Sequence, residues 1–226
     1  MTSLRAPLVE FIGTFFFFFA GIAAIVGNTP AVGSGLGLLG IALAHGLALA
    51  VAVNAFGGIS GAHFNPAVTA GMLVTGRIGP ARAVGYVVAQ LAAGVAAAAF
   101  CKAIFPAAAV AQSNLGIPLP APWATPGVVV AAEFVMTFLL MIAIFGTAVD
   151  ERGKAVKIGG FGVGLAVTCD ILAGGPITGA SMNPARSFGP AFVQGYWASH
   201  WLYWIAPIAG AVAGALIYQH AILEKR

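Results

Sequence analysis

Ser60-Gly-Ala-His-Phe-Asn-Pro-Ala-Val-Thr69 returns later in the chain as Thr178-Gly-Ala-Ser-Met-Asn-Pro-Ala-Arg-Ser187. In each copy Asn precedes Pro, the combination that opens a helix: Asn caps the free N–H groups, and Pro fits the first helical position because its missing N–H has no partner to lose there. The apolar segments that follow, about 65–75 and 183–194, are too short to cross a bilayer, which takes about 20 residues. Both read as half-helices. Similarity extends upstream, where Gly46-Leu-Ala-Leu-Ala-Val51 matches Gly164-Leu-Ala-Val-Thr-Cys169, and Glu10-Phe-Ile-Gly-Thr14 matches Glu133-Phe-Val-Met-Thr137.

Six segments around these motifs are long and apolar enough to span: roughly 7–27, 36–56, 82–105, 127–149, 158–174 and 200–220. The first is too long for a signal peptide and carries Glu10, so it reads as a retained span. Composition agrees with this count. Of 226 residues, 60% are hydrophobic and 7% charged, against about 25% charged in a soluble domain. Polar side chains this scarce exclude a soluble enzyme, a disordered chain and a nucleic-acid binder. The 31 glycines suit helices packed closely in lipid. Cys101 and Cys169 form no metal or disulfide pattern.

Basic residues Arg5, Arg77, Arg82, Arg152, Lys154, Lys157, Lys225 and Arg226 fall on the termini and on the links after the second and fourth spans. The positive-inside rule places both termini in the cytoplasm. The link at 106–126, with five prolines and no charge, then faces outward. Each half holds three spans, an odd number, so the second copy is inverted. The expectation is one channel domain over 1–226, built from inverted repeats at about 1–105 and 127–226. It is an all-α membrane protein of six transmembrane helices and two half-helices.

Opposed half-helices bring two N-termini together at mid-membrane, each with free N–H groups and about half a positive charge. Irregular backbone survives at that depth only inside protein or along a watery path. Carbonyls of Gly61, Ala62, His63 and Phe64, and of Gly179, Ala180, Ser181 and Met182, are therefore expected to line a pore. Asn65 and Asn183 are expected to aim amide N–H groups at a passing molecule. A positive centre of this kind disfavours protons and cations, while neutral solutes meet no such barrier. Arg186 is expected on the water-filled path, since a charge at membrane depth is costly elsewhere. Glu10 and Glu133 are expected to accept hydrogen bonds from the loops behind the half-helices. His63 is expected to line the cytoplasmic approach. His200 is expected to sit at the interface beside Trp197, Trp201 and Trp204. Asp170 reads first as a protonated acid between helices and second as a modulator that makes permeability pH-dependent. Gly58-Ile59-Ser60-Gly61 also fits a serine-nucleophile pattern, but a half-helix follows at once and the repeat partner of Ser60 is Thr178.

Asn65-Pro66-Ala67, Asn183-Pro184-Ala185-Arg186, the two Glu-x-x-x-Thr segments and the inverted repeat resemble the aquaporin (major intrinsic protein) family over essentially the whole chain. The resemblance implies a passive channel with no enzyme activity, cofactor or bound metal. It implies a homotetramer with one pore per subunit, and a plasma (inner) membrane is the expected address. It also implies a constriction made by His45, Ile171, Ala180 and Arg186. That set, with Ala42-Leu-Ala-His45 and Ile171-Leu-Ala-Gly-Gly175, resembles plant tonoplast intrinsic proteins, which pass water and in many cases ammonia, hydrogen peroxide or urea. Ser187 stands where glycerol facilitators carry an acid, and Ala191, Tyr203 and Trp204 resemble water-channel positions. A facilitator of ammonia, urea or glycerol is the alternative.

Overall fold

The structure is a computed structural model and describes residues 4–156 and 158–223. Lys157, Lys225 and Arg226 of the basic pattern lie outside the described residues. Among the described residues six helical segments are long and apolar enough to cross a membrane. They are built on α1 (Arg5–Gly27), α2 (Gly37–Ser60), α4 (Pro80–Ile104), α6 (Pro126–Ile144), α8 (Gly160–Thr178) and α10 (Leu202–Ile217), with α6 and α10 carried on to Val149 and Ile222 by a further turn. Two short helices, α3 (Pro66–Val74) and α9 (Pro184–Gln194), start at the Asn-Pro-Ala motifs. Two further pieces, α5 (Ala107–Ser113) and α7 (Glu151–Lys154), sit in links. Among the described residues there is no strand. Within the helices of the apolar layer backbone hydrogen bonding is local, as lipid demands.

Helices α2 and α8 run past the ends expected from sequence, to Ser60 and Thr178 rather than about 56 and 174. The Gly57-Gly58 and Gly174-Gly175-Pro176 runs look like breaks, yet in hydrocarbon each additional intrahelical bond spares an unsolvated amide. The true stops are Gly61 and Gly179, both left-handed C-caps (φ 87° and 80°), a conformation glycine adopts without a Cβ clash. The link at 106–126 is less extended than its prolines suggest. Helix α5 and a turn at Asn114–Gly116 fold inside it.

Contacts repeat with partners exchanged. Helix α4 packs on half-helix α9, and α10 packs on half-helix α3. Helices α2 and α8 cross at the centre. That crossing depends on two glycines. A Cβ on Gly46 would strike the Gly164 carbonyl and the Thr168 side chain, and a Cβ on Gly164 would strike the Gly46 carbonyl. Backbone therefore touches backbone, the small-residue packing that membranes favour.

One end of the bundle is tied together by polar contacts. Helices α6 and α10 both finish in a π-helical turn, Phe145–Val149 and Tyr218–Ile222. Asp150 accepts from the Arg152 side chain and backbone N–H and from the Tyr218 hydroxyl. The Arg152 guanidinium donates to the Ile222 carbonyl, and that of Arg77 to Gln219. Arg152 holds the Asp150 carboxyl well below the usual carboxylate range. A depressed pKa contributes stability above the ordinary value, and that contribution fades as pH falls toward the folded one. At the other end Trp204 Nε1 donates to His200 Nε2 at 2.9 Å, and Trp197 packs edge-on to the imidazole. Burial lowers the His200 pKa, which keeps the ring an acceptor at neutral pH.

Gly164→Val forces the α2–α8 crossing apart, and overpacking of this kind costs roughly 1–3 kcal/mol. Thermal unfolding in detergent is expected to shift down by about 5 °C or more. Gly57→Ala, whose added carbon meets nothing within 4 Å, is expected to leave the midpoint in place.

Candidate functional site

The loops before the half-helices have an unusual backbone. Ala62 and Phe64 in one, and Ala180 and Met182 in the other, adopt positive φ of 46–54°. Each such residue costs roughly 1–2 kcal/mol outside glycine. What holds them is a carboxylate behind each loop. Glu10 Oε1 accepts from the backbone N–H of His63 (3.0 Å) and from the Ser60 hydroxyl (2.6 Å), and Oε2 from the N–H of Phe64 (2.7 Å) and from Gln90 (2.8 Å). Glu133 does the same, accepting from the N–H of Ser181 (2.9 Å) and Met182 (2.7 Å) and from the Thr178 hydroxyl (2.7 Å). Left-handed residues flanking one of ordinary conformation converge successive N–H groups into an anion-binding nest. Here the anion is the protein's own. The stems of the loops are also matched: Tyr86 donates to the Ser60 carbonyl and Tyr203 to the Thr178 carbonyl, each at 2.7 Å.

Each loop leads into its capping Asn. The Asn65 side-chain oxygen accepts from the Ala67 N–H (2.8 Å), and that of Asn183 from the N–H groups of Ala185 (3.0 Å) and Arg186 (3.3 Å). With each oxygen turned to its own helix, each NH2 faces the opposite half. Asn65 Nδ2 donates to the Met182 carbonyl at 2.8 Å, and Asn183 Nδ2 donates to the Phe64 carbonyl at 2.9 Å. The two N-termini therefore abut. The reciprocal bonds refine the expectation from sequence. One N–H of each amide and the carbonyls of Phe64 and Met182 are engaged in joining the halves, which leaves the second N–H of each amide for a guest.

A cavity lined by both Asn residues runs between the loops and the inner faces of α1, α2, α6 and α8. Gly61, Ala62, His63 and Phe64 line it from one loop, and Ala180, Ser181 and Met182 from the other; Gly179 does not. His45, Ile171, Ala180 and Arg186 share its wall, and all four are buried. Arg186 is 3% exposed. It donates through one terminal nitrogen to the Gly116 carbonyl (2.9 Å) and through Nε to His45 Nε2 (3.4 Å). The His63 ring lies 3.1 Å from the Thr69 hydroxyl and edge-on to Tyr86. Ser60 is committed to Glu10 and to the Ala62 N–H, with no histidine among its partners, so it is not poised as a nucleophile. Asp170 is buried on α8 away from the cavity lining, and its Oδ2 has no hydrogen-bond partner.

Several contributors escaped the sequence reading. Tyr86 and Gln90 lie in a helix whose repeat signal is weak, although a longer alignment would have paired Tyr86 with Tyr203. Gly116 has no local signal. It reaches Arg186 because Asn114 and Leu115, both at positive φ, fold the 106–126 link back onto the cavity mouth. Among the described residues no group of three or more His, Cys, Asp or Glu could hold a metal ion.

The major intrinsic protein family model matches residues 1–218. The chain is 44% identical to aquaporin TIP4-4 of Zea mays, with 98% of this chain and 88% of that protein covered. It is 40% identical to aquaporin TIP2-1 of Arabidopsis thaliana (99% and 89% covered) and 40% identical to aquaporin-5 of Sus scrofa (98% and 82%). The X-ray structure of the aquaglyceroporin from Plasmodium falciparum superposes with a TM-score of 0.85 over 97% of this chain and 96% of that one, at 24% identity. That likeness is one of fold.

Glu133→Gln places an NH2 group against a set of N–H and O–H donors, and one buried unsatisfied donor costs about 1–3 kcal/mol. The variant is expected to unfold at lower temperature in detergent, and its vesicles to lose most of their osmotic response in stopped-flow light scattering. Glu133→Asp, which keeps the charge but shortens the reach, is expected to fall between the variant and the parent.

Proposed function

The chain belongs to the major intrinsic protein family, whose members are channels for water and small solutes in lipid bilayers and not enzymes, and from that premise we propose a passive, single-file water pore that rejects protons and ions. The observation that carries the proposal is the reciprocal pair of Asn bonds, Asn65 to Met182 and Asn183 to Phe64. These bonds seat two helix N-termini against one cavity. A water between the two amides accepts from both, so its own hydrogens point away toward the loop carbonyls. The hydrogen-bond chain along which a proton would hop is interrupted there. The two positive helix ends and Arg186 repel cations.

In this reading His45, Ile171, Ala180 and Arg186 form the narrow point. Arg186 supplies the guanidinium protons that His45 and Gly116 leave free. Ile171 and Ala180 leave room on the opposite side, which favours ammonia as a second cargo, with hydrogen peroxide and urea in the same class. Glu10 and Glu133 act as structural supports. The chain is one channel domain of inverted repeats, about 1–105 and 127–226. Both termini lie on the cytoplasmic side, a placement supported by Arg77 and Arg152, which meet the last turn of α10 at one end. A homotetramer is the expected assembly. The plasma-membrane address gains no support from the relatives, whose names are mainly of the TIP type.

Proteoliposomes are expected to shrink faster than empty lipid under an osmotic step, with ammonia uptake tested beside water, urea and glycerol. Arg186→Val is expected to keep water flux while raising proton leak about tenfold or more, the change that a barrier lower by roughly 1.4 kcal/mol produces. Vesicles carrying that variant and remaining proton-tight would count against the electrostatic barrier. Because Asp170 stands off the cavity wall, Asp170→Asn is expected to leave the pH profile of water flux unchanged.

A further inference from the structure

Gly21 follows a run of five phenylalanines, Phe15 to Phe19, and lies one helical turn beyond Phe17 on the same face of α1. It is buried, and the imidazole of His45 occupies the notch where its side chain would be. A Cβ at Gly21 would overlap the Nε2, Cδ2 and Cε1 atoms of that ring. Phe17 closes a second side, edge-on at 6.1 Å between ring centroids and 85° between planes. Along its own helix the ring is tethered by Nδ1, which lies 2.9 Å from the Ile41 carbonyl. A carbonyl only accepts, so Nδ1 carries the proton. Nε2 is then the bare nitrogen, and it faces Arg186 Nε at 3.4 Å.

We propose that Gly21 is a positioning residue for the constriction: by lacking a side chain it seats the His45 ring back against α1, at the wall of the lumen rather than across it and with its bare nitrogen toward Arg186. Three contacts restrain the imidazole, and the side left open is the cavity that it lines. A methyl group at position 21 drives the ring into that space. The lumen narrows, and Arg186 loses the acceptor that orients its Nε edge. The effect acts through His45 and not through the packing of α1 against α2, which is what separates positioning from ordinary structural support. The inference rests on the proposed water pore, since its functional readout is flux through the constriction.

The experiment is a two-by-two comparison of water flux in proteoliposomes at equal protein content: parent, Gly21→Ala, His45→Ala and the double variant. Gly21→Ala is expected to lower flux about fivefold or more, as the lower end of the usual overpacking cost would do to a barrier. In the His45→Ala background the same change is expected to alter flux less than about twofold, since its target is gone. Equal losses in both backgrounds, or no loss in a folded Gly21→Ala, would overturn the proposal. If Gly21→Ala does not fold, recovery of folded yield in the double variant supports it and failure to recover overturns it. Nitrogen NMR of histidine-labelled parent, assigned against His45→Ala, gives a readout independent of flux. It is expected to show a protonated Nδ1 and bare Nε2, and the opposite tautomer would refute the seat. Parent vesicles no leakier to water than empty lipid would defeat the water-pore reading, while the NMR result would still decide the position of His45.

Discussion

A buried carboxylate facing a curl of backbone N–H groups is the interaction on which this molecule depends. Non-helical backbone in the middle of a membrane has no water to satisfy it. Glu10 and Glu133 supply the missing acceptors from inside the protein, and the loops pay in left-handed conformations at Ala62, Phe64, Ala180 and Met182. With N–H groups held on the carboxylate side, the Phe64 and Met182 carbonyls are left to accept from the opposite Asn amides. Without the carboxylates neither half-helix would have a fixed start, and the two Asn amides would not meet.

The same logic governs the buried arginine. A guanidinium at this depth is tolerated because the Gly116 carbonyl, His45 and the cavity share its donors. Gly116 is presented by the left-handed turn at Asn114 and Leu115, and His45 is tethered to the Ile41 carbonyl one turn back and abuts Gly21 of another helix. The proposed selectivity is therefore a property of four separate segments rather than of a motif. Its polar side is preorganised, and its apolar side, Ile171 and Ala180, sets only width.

Two crossings of bare backbone hold the halves together around this centre. At Gly46 and Gly164 the middle helices touch, and at Gly94 and Gly189 helix α4 touches half-helix α9. Lipid gives no hydrophobic drive for helices to associate, so close packing and interhelical hydrogen bonds carry the load. The polar ties among Asp150, Arg152 and Tyr218 join the ends of α6 and α10 and lie apart from these crossings.

Six spans, two half-helices, the capping role of each Asn-Pro pair and the matched acidic residues were legible in the chain. Local chemistry fixes those features: length against bilayer thickness, proline geometry and the rarity of charge. Helices α2 and α8 run on to Ser60 and Thr178, beyond the ends expected from sequence, because glycine pairs that break helices in water do not break them where an unpaired amide has no solvent. The partner of each Asn amide, the carbonyl that holds Arg186, the tautomer of His45 and the removal of Asp170 from the cavity were not readable. Each depends on which distant segments meet at one depth, and only the packed bundle decides that.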